Sequence, residues 1–203
     1  MVNAKKSKIW LTSDTHFCHD REFVYGPRGF TNIHEMSEAI VERWNSVVGP
    51  DDLVYHLGDV MLNDNDKGME YLSRLNGQIY IIRGNHDTNT RINRYADAPN
   101  VFDCGDYARV IKYGKYTFYI SHYPTMTSNL ENNAHISEHV INLYGHTHQM
   151  DNFYNDIPFM YHVGMDSHDC YPVDLDTIIE DIKAEVKICY NMLGEGESNE
   201  SCN

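Results

Sequence analysis

Short apolar runs that stop abruptly at histidine, carboxylate or amide side chains recur along this chain. That repetition limits the fold more than any other feature. Residues 8–13 end at Asp14-Thr15-His16, and residues 52–57 end at Gly58-Asp59. Residues 78–82 end at Arg83-Gly84-Asn85-His86-Asp87, residues 116–120 at Ser121-His122, and residues 140–144 at Gly145-His146-Thr147-His148. Apolar runs bounded by turn residues read as buried strands. In open α/β sheets the carboxyl ends of strands are where ligands bind. Asp14 and His16 are two apart, so on an extended backbone both side chains fall on one side; His146 and His148 repeat that spacing. Gly58 permits the tight turn that brings Asp59 to its strand mouth. One such placement is unremarkable, because Gly-Asn is an ordinary turn pair. Five placements predict a single shared pocket.

The intervening segments read as helices and loops. Residues 17–32 are irregular, with Gly26-Pro27 and Gly29, and carry His19 and Arg28. Asn32 and Glu35 have capping-box spacing for a helix over 33–48, with Met36, Ile40, Trp44 and Val47 as its apolar stripe. Asn63-Asp64-Asn65-Asp66 lacks the glycine and distal glutamate of a calcium loop and reads instead as a helix start. Asp87-Thr88 caps a further helix at about 89–95. Residues 101–111 are mixed, 112–115 read as a hairpin turn, and 125–138 as a loop or lid with a short helix. A strand is expected at 157–163 and a final amphipathic helix at 174–190. The Gly-, Glu-, Ser- and Asn-rich stretch 191–203 is expected to be a disordered tail, leaving one domain over 1–190.

Composition narrows the partners. A 203-residue chain with 41% apolar residues suffices for one ordinary domain with its own core. No run approaches the roughly 20 apolar residues of a membrane helix, and residues 1–8 lack a signal-peptide pattern, so a soluble, cytoplasmic protein is expected. The net charge of −14 opposes stable binding to nucleic acid or anionic membrane. It leaves room for a small phosphate ester held by metal ions, which invert the local field. Five cysteines without a C-x-x-C pair read as reduced thiols, with Cys18 a packing residue. The imidazole, carboxylate and amide donors suit Mn, Fe, Zn or Ni, and the lack of thiolates argues against a structural zinc site.

Taken together the blocks Asp14-x-His16, Gly58-Asp59, Gly84-Asn85-His86-Asp87, His122 and Gly145-His146-x-His148 resemble the calcineurin-like metallophosphoesterases, all five in family order. Ser13-Asp14-Thr15-His16-Phe17, Arg43-Trp44-Asn45, Tyr55-His56-Leu57-Gly58-Asp59, His122-Tyr123-Pro124, Val163-Gly164-Met165-Asp166 and Tyr171-Pro172 are similar to a small bacterial and phage branch. The resemblance implies an α/β fold, a four-layer αββα sandwich of two mixed sheets flanked by helices. It assigns Asp14, His16 and His148 to one divalent ion, Asn85, His122 and His146 to a second, and Asp59 to both, with Mn²⁺ the leading choice. His86 then faces the substrate as general acid, oriented by Asp87, while a metal-bridging hydroxide attacks phosphorus. His19 and Arg28 are the candidate substrate contacts. The expected substrate is a small phosphodiester or phosphomonoester, for example a nucleotide or cyclic nucleotide. The Gly58-Asp59-Val60-Met61-Leu62-Asn63 block lacks the phosphate-gripping arginine of the family's protein phosphatases. A DNA-repair nuclease would carry a further domain. A non-catalytic protein-interaction scaffold on the same fold is the alternative from another class. The oligomeric state is left open.

Overall fold

The computed structural model describes residues 7–127 and 136–197, with side chains through residue 189. Strands β1 (Ile9–Thr12), β2 (Leu53–His56), β3 (Gln78–Ile81) and β4 (Val101–Cys104) run parallel, and β10 (Val173–Asp174) pairs antiparallel with β1. The order in this first sheet is β10-β1-β2-β3-β4. The second sheet has the order β5-β6-β7-β9-β8. Its central strands β6 (Tyr116–Ser121), β7 (Val140–Tyr144) and β9 (Ile157–His162) are parallel, and β5 (Ala108–Tyr113) and β8 (Phe153–Tyr154) are antiparallel edges. Both sheets are therefore mixed, as expected.

Alternation along the strands builds two cores. Trp10, Val54, Ile79 and Ile81 face outward under helices α2 (Ile33–Val47), α3 (Asn65–Ser73) and α4 (Asn89–Ala96). Leu11, Leu57 and Ile82 face the other way and meet Phe118, Ile120, Ile141, Leu143, Tyr161 and Val163 of the second sheet. Helix α5 (Leu175–Glu197) adds Leu175, Ile178, Ile179 and Ile182 to this second cluster. The helix starts are those the sequence marks: Asn32 accepts from Glu35 N at 2.9 Å, Asp64 from Lys67 N at 3.0 Å, and Thr88 from Arg91 N at 3.3 Å.

Some elements differ from expectation. Residues 101–111 split into two edge strands, half-exposed and so lacking a clean apolar alternation. The irregular segment after β1 contains a one-turn helix, α1 (Glu22–Tyr25). Helix α5 extends to Glu197, past the expected end at 190 and into the stretch read as a tail; residues 198–203 lie outside the described residues. Of the expected lid, the structure describes a 3₁₀ turn at Ile136–Glu138, while 128–135 lie outside the described residues.

The two sheets are stitched together where their strands end. Ser13 and Gly164 form an isolated parallel bridge, and Met165 N donates to Ser13 O at 3.1 Å. The carboxyl ends of β1, β2, β3, β6, β7 and β9 thus converge on one rim. Leu143 is fully buried between the sheets. Leu143→Ala should cost about 2–5 kcal/mol, read as a shifted urea midpoint with unchanged slope in the presence of chelator.

Candidate metal centre

The seven proposed ligands meet at this rim. Asp14, His16 and His148 form one cluster and Asp59, His122 and His146 a second, the ligand atoms within each lying no more than 4.8 Å apart. His16 Nε2 and His148 Nε2 approach to 3.2 Å. Asn85 joins the second cluster through its Oδ1, 2.9 Å from His122 Nε2. Asp59 Oδ2 lies between the clusters, 3.9 Å from His16 Nε2 and 3.5 Å from His122 Nε2. His86 Nε2 stands at the mouth, 3.9 Å from the same oxygen, its side chain 39% exposed.

Each carboxylate is aimed by a backbone donor. His146 N donates to Asp14 Oδ2 at 2.8 Å, and His86 N donates to Asp59 Oδ1 at 2.8 Å. Asp14 Oδ1 is then left buried with no hydrogen-bond partner, 3.6 Å from His16 Nε2. An orphaned carboxylate oxygen amid converging imidazole nitrogens is what a divalent cation would satisfy, so the residues present fit two such ions. The rings are aimed as well. His122 Nδ1 bonds to Leu57 O at 2.8 Å and His148 Nδ1 to Asp166 Oδ2 at 3.0 Å, which leaves each Nε2 facing the centre.

Burial and mutual charge perturb the titration of these groups. Burial pushes the Asp59 carboxyl up to about 7, opposed by His122 and reinforced by Asp14. Burial acts the same way on Asp14, but the close His16 ring and the charges of His122 and His148 reverse it and hold that carboxyl well below the usual range. Burial brings His16 down to about 4, despite Asp14. Two carboxylates this close divide the work: one is ionised without a metal and the other ionises fully only beside added positive charge.

Backbone geometry delivers the ligands by a route the sequence reading had differently. The side chains of Asp14 and His16 do converge, but not from an extended backbone. Both residues lie beyond β1 with positive φ, +59° and +47°. Asp59 (+57°), His146 (+70°) and His148 (+48°) share this left-handed conformation. Aspartate and histidine enter that region more readily than most residues, and such strain collects at functional sites. Two glycines let the loops touch. A Cβ on Gly84 would fall 2.2 Å from Asp59 Oδ1, and one on Gly145 would fall 2.4 Å from Asp14 Oδ2.

Two assigned roles need correction. Asp87 does not orient the His86 ring. Its Oδ2 accepts from Asp59 N (2.7 Å) and Gly84 N (2.9 Å), and its Oδ1 from Val60 N (3.3 Å) and Tyr95 Oη (2.8 Å). Both oxygens are occupied in tying the β2 and β3 loops together beneath the site. Arg28 does not face the pocket either. Its guanidinium is buried and bidentate to Asp166, through Nε at 2.9 Å and Nη2 at 2.8 Å, and Nη2 also donates to Asp14 O at 2.8 Å. Burial raises the Asp166 carboxyl, but the bonds to His148 and Arg28 outweigh it and hold it well below the ordinary range. His19 does lie beside the site, its Nδ1 3.3 Å from His16 Nδ1.

The sequence reading quotes Asp166 within Val163-Gly164-Met165-Asp166 but gives it no role in the site, and it passes over Tyr95. Asp166 closes a sixth apolar run ending in a glycine and a carboxylate, the same pattern that marks the ligands. Tyr95 sits inside α4 with no local signal.

Comparison with known proteins gives the family of the chain. Residues 8–164 match the family described as the calcineurin-like phosphoesterase superfamily domain. An uncharacterized protein of Methanocaldococcus jannaschii is 35% identical over 181 residues, spanning 85% of this chain and 90% of the relative. The gene 66 protein of Mycobacterium phage D29 is 30% identical over 200 residues, spanning 83% and 93%. A solved protein of unknown function from Aquifex aeolicus superposes with a TM-score of 0.66 at 21% identity, over 86% of this chain and 99% of its own; that likeness speaks for the fold alone.

Asp166→Ala should weaken divalent-metal binding about 10–100-fold by calorimetry. It should also cost about 3–5 kcal/mol of stability, because Arg28 is left buried without its partner. The pH sign follows from a depressed carboxyl. Its stabilisation is complete above the unfolded value of about 3.9 and fades as pH falls toward the folded one. Thermal melts of metal-free wild type and Asp166→Asn should therefore differ most at neutral pH and draw together below about pH 4. Gly145→Ala should abolish metal binding while leaving far-UV circular dichroism unchanged.

Proposed function

Because the chain belongs to the calcineurin-like phosphoesterase superfamily and carries its metal-dependent phosphoric ester hydrolase domain, we propose that it hydrolyses a small phosphodiester or phosphomonoester at a dinuclear centre. The observation that carries this reading is Asp59 Oδ2, placed within 3.9 Å of His16 Nε2 in one ligand cluster and within 3.5 Å of His122 Nε2 in the other. Asp14, His16 and His148 would hold one ion, and Asn85, His122 and His146 the other, with Asp59 shared. Mn²⁺ is the first choice from the donor set, ahead of Fe, Zn and Ni. When bound, such a pair supplies charge stabilisation at the phosphoryl oxygens and lowers the pKa of a coordinated water.

The protein's own residues supply the remainder. His86 is fixed through its backbone, its N–H on Asp59 Oδ1 and its carbonyl accepting from Arg91 Nη1 at 2.7 Å, so its ring projects at the mouth. Its Nε2 is the proton donor to the departing oxygen. Burial lowers the His86 pKa, with the Asp87 charge opposing, so it is the negative charge of an arriving phosphate that favours the protonated ring. Asp87 and Tyr95 hold the turn that presents Asn85 and His86. Asp166 and Arg28 set the His148 ring, and His19 lies close enough to line the substrate side.

A cytoplasmic setting fits the free thiols of Cys18, Cys104, Cys170 and Cys189. No helix among the described residues is long and apolar enough to cross a membrane. With a net charge of −14, the partner is a small ester and not a long polyanion.

Purified protein with Mn²⁺ should hydrolyse bis-p-nitrophenyl phosphate. His86→Ala should slow it by about 10²–10⁴, and Asp59→Asn should abolish it. Equal rates in all three proteins would identify a contaminant, and no hydrolysis with Mn²⁺, Fe²⁺, Zn²⁺ or Ni²⁺ would remove the hydrolase reading.

A further inference from the structure

Phe23 leaves a large ring 72% exposed, although the next residue of α1, Val24, is 2% exposed in the core. Exposed apolar side chains are common one at a time, so position has to decide. The Phe23 ring meets His19 edge-on, centroids 5.7 Å apart and planes at 90°. His19 in turn lies 5.8 Å from His86 and 5.1 Å from His16. The rings therefore step outward from the metal centre, with His16 and His86 first, His19 next and Phe23 outermost. The segment that displays Phe23 is pinned from behind by Arg28, bound to Asp166 and to Asp14 O. Phe23 is thus a solvent-facing aromatic surface one ring beyond His19, which itself adjoins the residue assigned to protonate the leaving group.

We infer that Phe23 is the platform on which the planar base of a nucleoside leaving group stacks, which makes small nucleoside phosphoesters the substrate class. The inference rests on the reading of His86 above, since the departing alcohol leaves beside that ring and the next rings along are His19 and Phe23. A base reaching past His19 finds a π-face, on which an alcohol without a ring cannot stack. Stacking tolerates any base, so no particular nucleobase is selected. A further exposed ring, Tyr123, packs on the ligands themselves, 5.1 Å from His122 and 4.7 Å from His146, on the side of the second cluster. The acidic surface disfavours a long strand and leaves single nucleotides.

The test is calorimetric binding to the Mn²⁺-loaded protein of two uncleavable methylene phosphonates, the isosteres of adenosine 5′-phosphate and of glycerol 3-phosphate. Wild type should prefer the adenosine compound. Phe23→Ala should shrink that preference about ten- to hundredfold, Phe23→Leu should follow Ala because it is apolar but has no π-face, and Phe23→Trp should keep the wild-type preference. An unchanged preference in Phe23→Ala, or a Leu variant equal to wild type, would overturn the platform. Hydrolysis of bis-p-nitrophenyl phosphate by the same preparation reports separately on the reaction. Intact hydrolysis without a Phe23-dependent preference removes the platform alone. A Phe23-dependent preference without hydrolysis removes the hydrolase and supports Phe23 as a nucleotide contact.

Discussion

Two buried carboxylates at the junction of two sheets govern this molecule. Asp14 is completely buried and Asp59 is 1% exposed, and each has one oxygen fixed by a backbone N–H and the other turned toward a common centre. In a medium of low dielectric such a pair repels, and the protein alone answers only half of the problem, with Asp14 ionised and Asp59 raised to about 7. The surrounding architecture follows from the need for compensating positive charge. Parallel pairing of β1 with β2 places the two acids on neighbouring strand ends. The second sheet supplies His122, His146 and His148, and the Ser13–Gly164 bridge holds the two rims in register.

A second tier keeps the centre from relaxing. Arg28, Asp166 and His148 form one chain of charge-assisted bonds, which begins at the buried guanidinium of the segment after β1 and ends on a ligand ring. Tyr95, Asp87 and the backbone of Asp59 and Gly84 form another, beneath the β2 and β3 loops. Left-handed backbone at five ligands stores strain of order 1–3 kcal/mol each, and these tied carboxylates over-determine the loops enough to keep it. Rigidity here serves placement: donors fixed before a cation arrives need not be ordered when it does.

Much of this was legible in the chain. Apolar runs ending in His, Asp and Asn named all seven residues now found together, because strand mouths are set by local pattern and the ligands follow directly upon them. Helix stripes such as Met36, Ile40 and Trp44 were readable for the same reason. What the sequence hid depends on partners far away. Arg28 lies on an unstructured-looking loop, and nothing near it announces Asp166, 138 residues on. Asp87 took its orienting role from the family resemblance, whereas its burial under Asp59 and Tyr95 is a tertiary fact. The left-handed turns were invisible because aspartate and histidine, unlike glycine, carry no strong local mark of that conformation. The edge strands β4, β5, β8 and β10 were blurred or missed because one side of each is wet or its length is only two residues.

The span matched to the family description ends at residue 164, but the folded unit does not. Strand β10 caps the free edge of β1 through Trp10 and Leu11, and α5 closes the apolar layer shared by both sheets. A fragment trimmed to the matched span would keep every proposed cation ligand yet bare that layer along one flank and lose Asp166. It would offer an unpaired strand edge to its neighbours, and self-association would compete with folding. Residues 165–197, which carry no proposed ligand, cover the strand edge and the apolar layer that the ligand-bearing part would otherwise leave bare.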